Sequence, residues 1–276
     1  RRAVAMMVSN SGNALTPHMD SIAEDGMTFN RFYVSSAVCS PSRYSVLTGR
    51  YASRSESIQN KFPPGTHMNM GWEPQVRHDV KAGTGTTLPE ILRQNGYYTG
   101  MVGKWHQGDS AGKIPQDTDI RTPEGEEVFE EHYARVRKAI RECGFDYVDG
   151  AYKANVKGFM PEEVAVHNQE WITKAALDFM DGAGDRPFFL YMPTTLTHGP
   201  WPVKHGLKAD PRITPAGYLD EVPDVQPSRE SVLKRVRESD TPYRLAGVTW
   251  LDDAVGAVLD KLEELGEAEN TLVILA

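Results

Sequence analysis

Short apolar runs alternate with helical segments along the chain. Residues 3–8, 97–102, 187–192 and 271–276 are mostly apolar, and runs of this length are typical of strands that are buried on both faces. Residues 27–34 are predicted to form a further strand. Strands separated in this way by helices favour an α/β fold with a mainly parallel central sheet and helices on both faces.

Start and stop signals place the helices between these strands. Thr16 and Pro17 form a helix-initiating pair, and Gly26 predicts where that helix ends. Residues 107–160 look polar and irregular apart from one helix, and residues 199–227 are rich in proline and glycine and are predicted to be loop. Further helices are predicted over residues 41–48, 88–95, 125–142, about 161–180 and about 240–266.

Composition limits the classes of function. The chain has 276 residues, which is long enough for one large α/β domain or two small ones. Its net charge of −8 argues against a nucleic-acid partner. An anionic substrate remains compatible, because a local pocket can be cationic on an acidic protein. No apolar run reaches the ~18 residues of a membrane span, and no signal peptide precedes the first predicted strand. Two cysteines exclude a disulfide framework, and Cys143 is predicted to be an ordinary buried thiol.

The other cysteine follows a predicted strand and precedes a predicted helix. With Ser40 as N-cap and Pro41 as first helical residue, Cys39 is expected immediately before the helix N-terminus, where free amides favour a bound anion. Arg43, one turn along, adds a planar fork of donors for a tetrahedral oxyanion. A nucleophile beside an anion cradle suits a sulfate or phosphate ester hydrolase. The alternative is a buried cysteine before an ordinary capped helix.

Three more candidates follow predicted strands. Lys104 and His106 come after residues 97–102 and share one side of an extended chain, and His198 lies in the loop after residues 187–192. Taken singly, each has an unremarkable alternative as a solvated lysine, a packed histidine or a loop histidine without a role. Because ligands bind beyond the carboxyl ends of parallel strands, we predict that these residues meet Cys39 at one sheet edge.

The motifs that contain these residues resemble those of a known family. Residues 39–43 followed by 47–50 are similar to the signature of the type I sulfatases, residues 103–106 resemble the second motif of that family, and residues 198–200 resemble the third. The resemblance runs from about residue 16 to the end of the chain. It implies an alkaline-phosphatase-like fold, with residues 1–276 a partial catalytic domain that carries an insertion at 107–160 and lacks the C-terminal subdomain. It also implies a periplasmic or secreted location.

The resemblance further implies a reaction. A maturation enzyme oxidises Cys39 to formylglycine, whose aldehyde hydrates to a geminal diol. One hydroxyl attacks sulfur and the alcohol leaves; the second hydroxyl then loses its proton and sulfate is expelled. In this scheme Arg43 holds the hydrate, Lys104 binds a sulfate oxygen, His106 contacts the hydrate, and His198 binds the substrate and protonates the leaving oxygen.

The metal site of the family is incomplete in this sequence. The resemblance implies one divalent cation, usually Ca²⁺, bound by the formylglycine from Cys39 and by hard oxygen ligands. The acidic pair expected after the first strand is replaced by residues 9–11, which contain no acid, and the second pair would follow Ala276. We therefore expect no other metal ligand in the chain and very low turnover by residues 1–276. The chain is either a piece of a longer enzyme or a degenerate homologue.

Several functions remain open. A phosphonate or phosphodiester hydrolase of the same superfamily can use the same modified cysteine, and an inactive homologue could bind sulfate without turnover. A cysteine phosphatase is disfavoured, because its arginine would stand where this chain has Ser45. A sulfated carbohydrate is favoured over a small aryl sulfate, with Trp72, Trp201 and Tyr218 either stacking on sugar rings or simply packing.

Overall fold

The computed structural model describes the backbone of residues 4–6 and the whole of residues 13–62, 73–108 and 111–276. Residues 9–11 and Trp72 lie outside these ranges. The strands are β1 (Val4–Met6), β2 (Met27–Thr28), β3 (Tyr98–Lys104), β4 (Tyr147–Tyr152), β5 (Phe188–Tyr191), β6 (Ile213–Thr214), β7 (Gly217–Tyr218) and β8 (Val273–Leu275). The helices are α1 (Pro17–Asp25), α2 (Cys39–Thr48), α3 (Glu56–Lys61), α4 (Val76–Lys81), α5 (Leu88–Gln94), α6 (Pro123–Arg141), α7 (Gln169–Ala183), α8 (Arg229–Arg237) and α9 (Ala246–Glu264).

The strands pair mainly in parallel, as predicted. They form two three-stranded parallel groups, in the orders β2-β1-β8 and β4-β3-β5, and β6 and β7 form a short antiparallel hairpin. Helix α7 packs so closely on the second group that a Cβ at Gly100 would overlap the ring of Phe179. The prediction of an α/β fold with parallel strands flanked by helices is confirmed. Within the described ranges, no helix has both the length and the apolar character of a membrane span.

The strand predicted over residues 27–34 is wrong beyond Thr28. Only Ala5↔Met27 and Met6↔Thr28 pair with β1, and the chain then leaves the sheet. Phe32 and Tyr33 remain 52% and 84% exposed, so the apolar content that suggested a strand is not buried by any described part of the chain.

Residues 107–160 contribute more to the sheet than their composition suggests. Besides the predicted helix they contain β4, which pairs in parallel with β3. The sequence of β4 hides this role because Asp149 and Gly150 interrupt its apolar pattern. Asp149 is accommodated by the Tyr133 hydroxyl, which donates to its carboxylate at 2.6 Å. The expectation that this stretch is irregular apart from one helix is therefore corrected.

Two helix boundaries also differ from the prediction. Helix α7 begins at Gln169 rather than near Pro161, because the Asn168 side chain caps it by accepting the Trp171 amide. The last long helix begins at Ala246, since Pro242 opens a separate short turn before it. Helix α8, which follows the Ser228 N-cap, was not predicted.

Candidate active site

Cys39 lies in the first turn of α2. The residue before the helix is Val38, in an extended conformation, so Cys39 is itself the first helical residue and the prediction of Ser40 as N-cap is wrong. The helix ends as predicted at Gly49, which adopts a left-handed conformation. The amides of a first helical turn have no intrahelical acceptor, so the half-buried Cys39 side chain stands at a place that favours an anion.

The end of β3 brings two further candidates to this thiol. Cys39 Sγ is 3.2 Å from His106 Nδ1 and 3.6 Å from Lys104 Nζ. Between them, Trp105 is buried against Phe145 and anchors the strand end in the core. His106 has a positive φ of 53°, an uncommon backbone conformation for a residue with a side chain, and its ring lies against Cys39 in this conformation.

Arg43 links α2 to the ends of two strands. Its Nη1 donates to the Lys104 carbonyl at 2.9 Å and lies 3.5 Å from the Tyr191 hydroxyl at the end of β5. Its Nε is buried and has no hydrogen-bond partner among the described residues. Because buried donors are nearly always paired, this N–H retains the capacity for one further hydrogen bond.

Glu73 completes a chain of three side chains that the sequence did not reveal. Its Oε1 lies 2.8 Å from His106 Nε2, so one ring nitrogen of His106 faces Cys39 and the other faces a carboxylate. A nucleophile, a base and an orienting acid in this order form the arrangement that activates side chains in many enzymes. Glu73 follows no predicted strand and belongs to none of the quoted motifs, so no sequence signal marked it.

The charges of this chain favour a thiolate. The hydrogen bond from His106 lowers the pKa of Cys39 to about 6 against the effect of burial, and the positive charges of Lys104 and Arg43 add to the shift. Burial favours neutral imidazole, but the hydrogen bonds to Cys39 and Glu73 outweigh it and raise the pKa of His106. The hydrogen bond to His106 lowers the pKa of Glu73. Near neutral pH the unconverted Cys39 therefore favours its thiolate form, and Glu73 is ionised.

Alkylation of unconverted Cys39 is expected to titrate with a midpoint near pH 6, because the thiolate is the reactive form and the pKa of Cys39 is lowered to about 6. Replacing His106 by Asn removes the main cause of this shift. The midpoint should rise by about one unit or more, and the rate at pH 6 should fall about fivefold or more. Peptide mass spectrometry after timed iodoacetamide treatment measures both.

Cys143 is the internal control for this titration. It is fully buried, and burial raises its pKa to about 12, so it should stay unmodified while the protein is folded. An unchanged midpoint for Cys39 in the His106→Asn variant would contradict the assignment of His106 as the group that stabilises the thiolate.

His198 does not join this group by contact. It is exposed, its Nδ1 lies 2.9 Å from the Gly199 carbonyl, and no hydrogen bond or ion pair connects it to the other candidates within the described ranges. Its loop nevertheless starts at the site, because the Pro193 carbonyl accepts the Lys104 amide at 2.6 Å. The structure thus brings Cys39, Arg43, Lys104 and His106 together and leaves His198 on the adjoining loop.

The described surroundings of Cys39 do not fit a Ca²⁺ ion. Ca²⁺ takes six to eight oxygen ligands, many of them carboxylates. The side chains that contact Cys39 here are Lys104 and His106, and the nearby carboxylate of Glu73 is bonded to the His106 ring. The position where the sequence lacks the expected acids, residues 9–11, lies outside the described ranges. No reaction step is therefore assigned to a metal.

Comparisons of the sequence and of the structure with known proteins both identify sulfatases. A family model described as Sulfatase matches residues 2–276. The chain is 29% identical to N-acetylgalactosamine-6-sulfatase of Mus musculus and 28% identical to arylsulfatase G of the same species, over 94% of this chain in each case. These alignments cover 44% and 45% of the relatives, so the chain spans less than half of their length.

Solved structures share the fold. A Bacteroides thetaiotaomicron protein described under the metabolism of multiple glycosaminoglycans superposes with a TM-score of 0.57 at 19% identity, over 99% of this chain and 62% of that one. A putative sulfatase from Bacteroides fragilis gives 0.52 at 18% identity, over 99% and 61%. At these identities the likeness concerns the fold alone, and it confirms the predicted alkaline-phosphatase-like architecture.

Proposed function

This chain belongs to the sulfatase family, and on that basis we propose that its protein hydrolyses sulfate esters of a sulfated carbohydrate through a formylglycine made from Cys39. The observation that carries the proposal is the convergence of Arg43, Lys104 and His106 on Cys39 at the N-terminus of α2. A formylglycine-generating enzyme is the partner required for the conversion, and a periplasmic or secreted location is part of the same proposal.

The side chains around Cys39 suit the modified residue. All of them can donate hydrogen bonds, and the buried Arg43 Nε is unpaired within the described ranges, so oxygen atoms on residue 39 and on a sulfate would find donors there. The hydrated aldehyde supplies one hydroxyl to attack sulfur and a second whose deprotonation releases sulfate.

The residues of the chain would divide the remaining tasks. Lys104 binds a sulfate oxygen, and Arg43 stabilises the negative charge that develops in the transition state. His106, backed by Glu73, accepts and returns the proton of the attacking hydroxyl. His198 gives its proton to the bridging oxygen as the bond from that oxygen to sulfur breaks, so the alcohol leaves neutral.

The sugar part of the proposal depends on the loop that carries His198. Trp201 lies in this loop, is 50% exposed and meets Tyr243 edge-on at 6.3 Å, which leaves aromatic surface available for a sugar ring. Tyr218 is already engaged by Arg212 and Asp210. A relative named for sulfated N-acetylgalactosamine is consistent with a sulfated glycan as substrate.

Coexpression with a formylglycine-generating enzyme should lower the mass of the chain by about 18 Da at Cys39, as the thiol becomes an aldehyde. Intact-mass analysis and a carbonyl-reactive probe measure the conversion. Sulfate release is then assayed on an aryl sulfate and on sulfated sugars, with a phosphodiester and a phosphonate ester in parallel. A thiol in every molecule would overturn the proposal, whereas conversion with turnover of only the phosphorus esters would reassign the substrate.

A further inference from the structure

A buried histidine holds both ends of the loop that carries His198. His167 is fully buried, with Nδ1 2.9 Å from the Thr195 hydroxyl and Nε2 2.9 Å from the Pro200 carbonyl. A carbonyl oxygen can only accept, so Nε2 must carry the proton and Nδ1 must accept from Thr195. Burial lowers the pKa of His167 to about 4, so the ring stays neutral near pH 7. His167 is therefore hydrogen-bonded to Thr195 before His198 and to Pro200 after it.

Gln169 adds a second connection from the same segment. It is fully buried, and its Oε1 accepts the Thr194 hydroxyl at 2.8 Å. The Thr194 oxygen in turn accepts the Leu196 amide at 3.0 Å, and the His198 amide donates to the Thr195 carbonyl at 3.1 Å. His167 and Gln169 thus hold the loop by hydrogen bonds at Thr194, Thr195 and Pro200, while the His198 ring remains exposed.

The same loop is also hydrogen-bonded to the candidate active site. The loop begins at Pro193, whose carbonyl accepts the Lys104 amide, so its start is tied to the strand end that carries Lys104 and His106. The other attachments, at Thr194, Thr195 and Pro200, are to residues that precede or begin α7. The position of His198 relative to Cys39 therefore depends on where α7 and its preceding residues lie.

We infer that His167 and Gln169 are positioning residues that hold the His198 loop in register with the end of β3. This inference rests on the proposed role of His198 as proton donor. A proton donor must be placed within hydrogen-bond reach of the leaving oxygen, and a shift of about 1 Å can cost on the order of a hundredfold in rate. None of the sequence motifs contains either residue.

Thr195→Val tests the inference with little change in shape. It removes the hydroxyl that donates a hydrogen bond to His167 Nδ1, so this buried nitrogen loses its partner. In the active enzyme with Cys39 converted, kcat should fall about tenfold or more with KM unchanged, because a proton donor acts in the transition state. Hydrogen exchange by mass spectrometry should show faster exchange of the amides of residues 194–200.

Thr214→Val is the matched control. Thr214 is as buried as Thr195, and its hydroxyl donates to the Gly217 carbonyl at 2.8 Å in the hairpin of β6 and β7. This variant should lose stability by a similar amount without a change in kcat or in exchange of residues 194–200. A second variant, His167→Asn, keeps an acceptor near Thr195 and should recover part of the activity that His167→Leu loses.

The outcomes separate this inference from the proposed function. Unchanged exchange of residues 194–200 in Thr195→Val would overturn the inference, whatever the activity. Faster exchange with unchanged kcat would also overturn it, and His198→Ala would then show where the error lies. If His198→Ala is fully active, the proposed role of His198 fails; if it is inactive, that role stands and only the need for positioning fails.

Discussion

Replacing Cys39 by Ala is expected to abolish sulfate release, with a fall in turnover of at least about 10⁴-fold, the order of loss seen when a catalytic nucleophile is removed. The proposed reaction needs an aldehyde at position 39, and alanine cannot be oxidised to one. If Arg43 and Lys104 bind sulfate as proposed, the variant should keep substrate affinity while losing turnover. Sulfate release and equilibrium binding of a substrate analogue measure the two effects separately.

The second cysteine provides the control for this variant. Cys143 is fully buried and its thiol donates to the Ala139 carbonyl at 3.4 Å, away from the contacts described around Cys39. Cys143→Ala should lower the free energy of unfolding by about 1–2 kcal/mol through a small cavity and leave the turnover number unchanged. Retention of turnover in Cys39→Ala would show that another nucleophile performs the reaction.

Replacing Arg43 by Lys is expected to lower turnover by about 10²-fold or more, although the charge is kept. Arg43 holds the Lys104 carbonyl with Nη1, and its buried Nε has no partner among the described residues. In the proposed reaction the same side chain would therefore orient the strand end and donate to the anion. Lysine has no planar fork and cannot do both. Loss of one preorganised donor to a developing oxyanion costs about 10²–10³-fold in rate.

Arg43 lies in the motif around Cys39, so its replacement can also impair conversion to formylglycine. Activity is therefore expressed per mole of aldehyde, measured with the carbonyl-reactive probe. Arg137→Lys is the matched control. Arg137 lies on α6, its Nε donates to the Val148 carbonyl of β4 at 2.8 Å, and it has no hydrogen bond to a candidate site residue within the described ranges. Equal losses of turnover per aldehyde in both variants would mean that Arg43 acts only through stability.

The unconverted site has a property of its own. The arrangement of Cys39, His106 and Glu73 makes residue 39 a thiolate near neutral pH before any modification. A thiolate is also the form of cysteine that oxidation reactions attack most readily. His106 and Glu73 would then serve two stages, first by stabilising the Cys39 thiolate and later, in the proposed reaction, when His106 accepts the proton of the modified residue.

Much of the site could be predicted because its residues lie close together in sequence. Cys39 and Arg43 are one helical turn apart, and Lys104 and His106 are two residues apart where β3 ends. The expected alternation of an extended chain does not place His106, however, because His106 follows the strand with a positive φ of 53°. The rule that ligands bind at the carboxyl ends of parallel strands then brings the two pairs together, and the structure agrees, with 3.2 Å between Cys39 Sγ and His106 Nδ1.

The parts that were missed depend on contacts between distant segments. Glu73 meets His106 from 33 residues away, and His167 meets Pro200 across the same interval, with no periodic pattern to announce either contact. The strand β4 went unrecognised because its Asp149 is paired by Tyr133 rather than exposed. The role of each of these side chains depends on a hydrogen-bond partner that only the folded structure places beside it.

The sequence by itself determined the α/β class, the strand ends that carry the chemistry and the family to which the chain belongs. These follow from apolar periodicity, helix signals and short motifs, all of which act over a few residues. Only the tertiary structure decided that β2 stops at Thr28, that Glu73 backs His106 and that His167 fastens the His198 loop. The physical reason is that the burial of a side chain and its hydrogen-bond partners depend on which distant segments pack together. A pattern of a few neighbouring residues does not specify that packing.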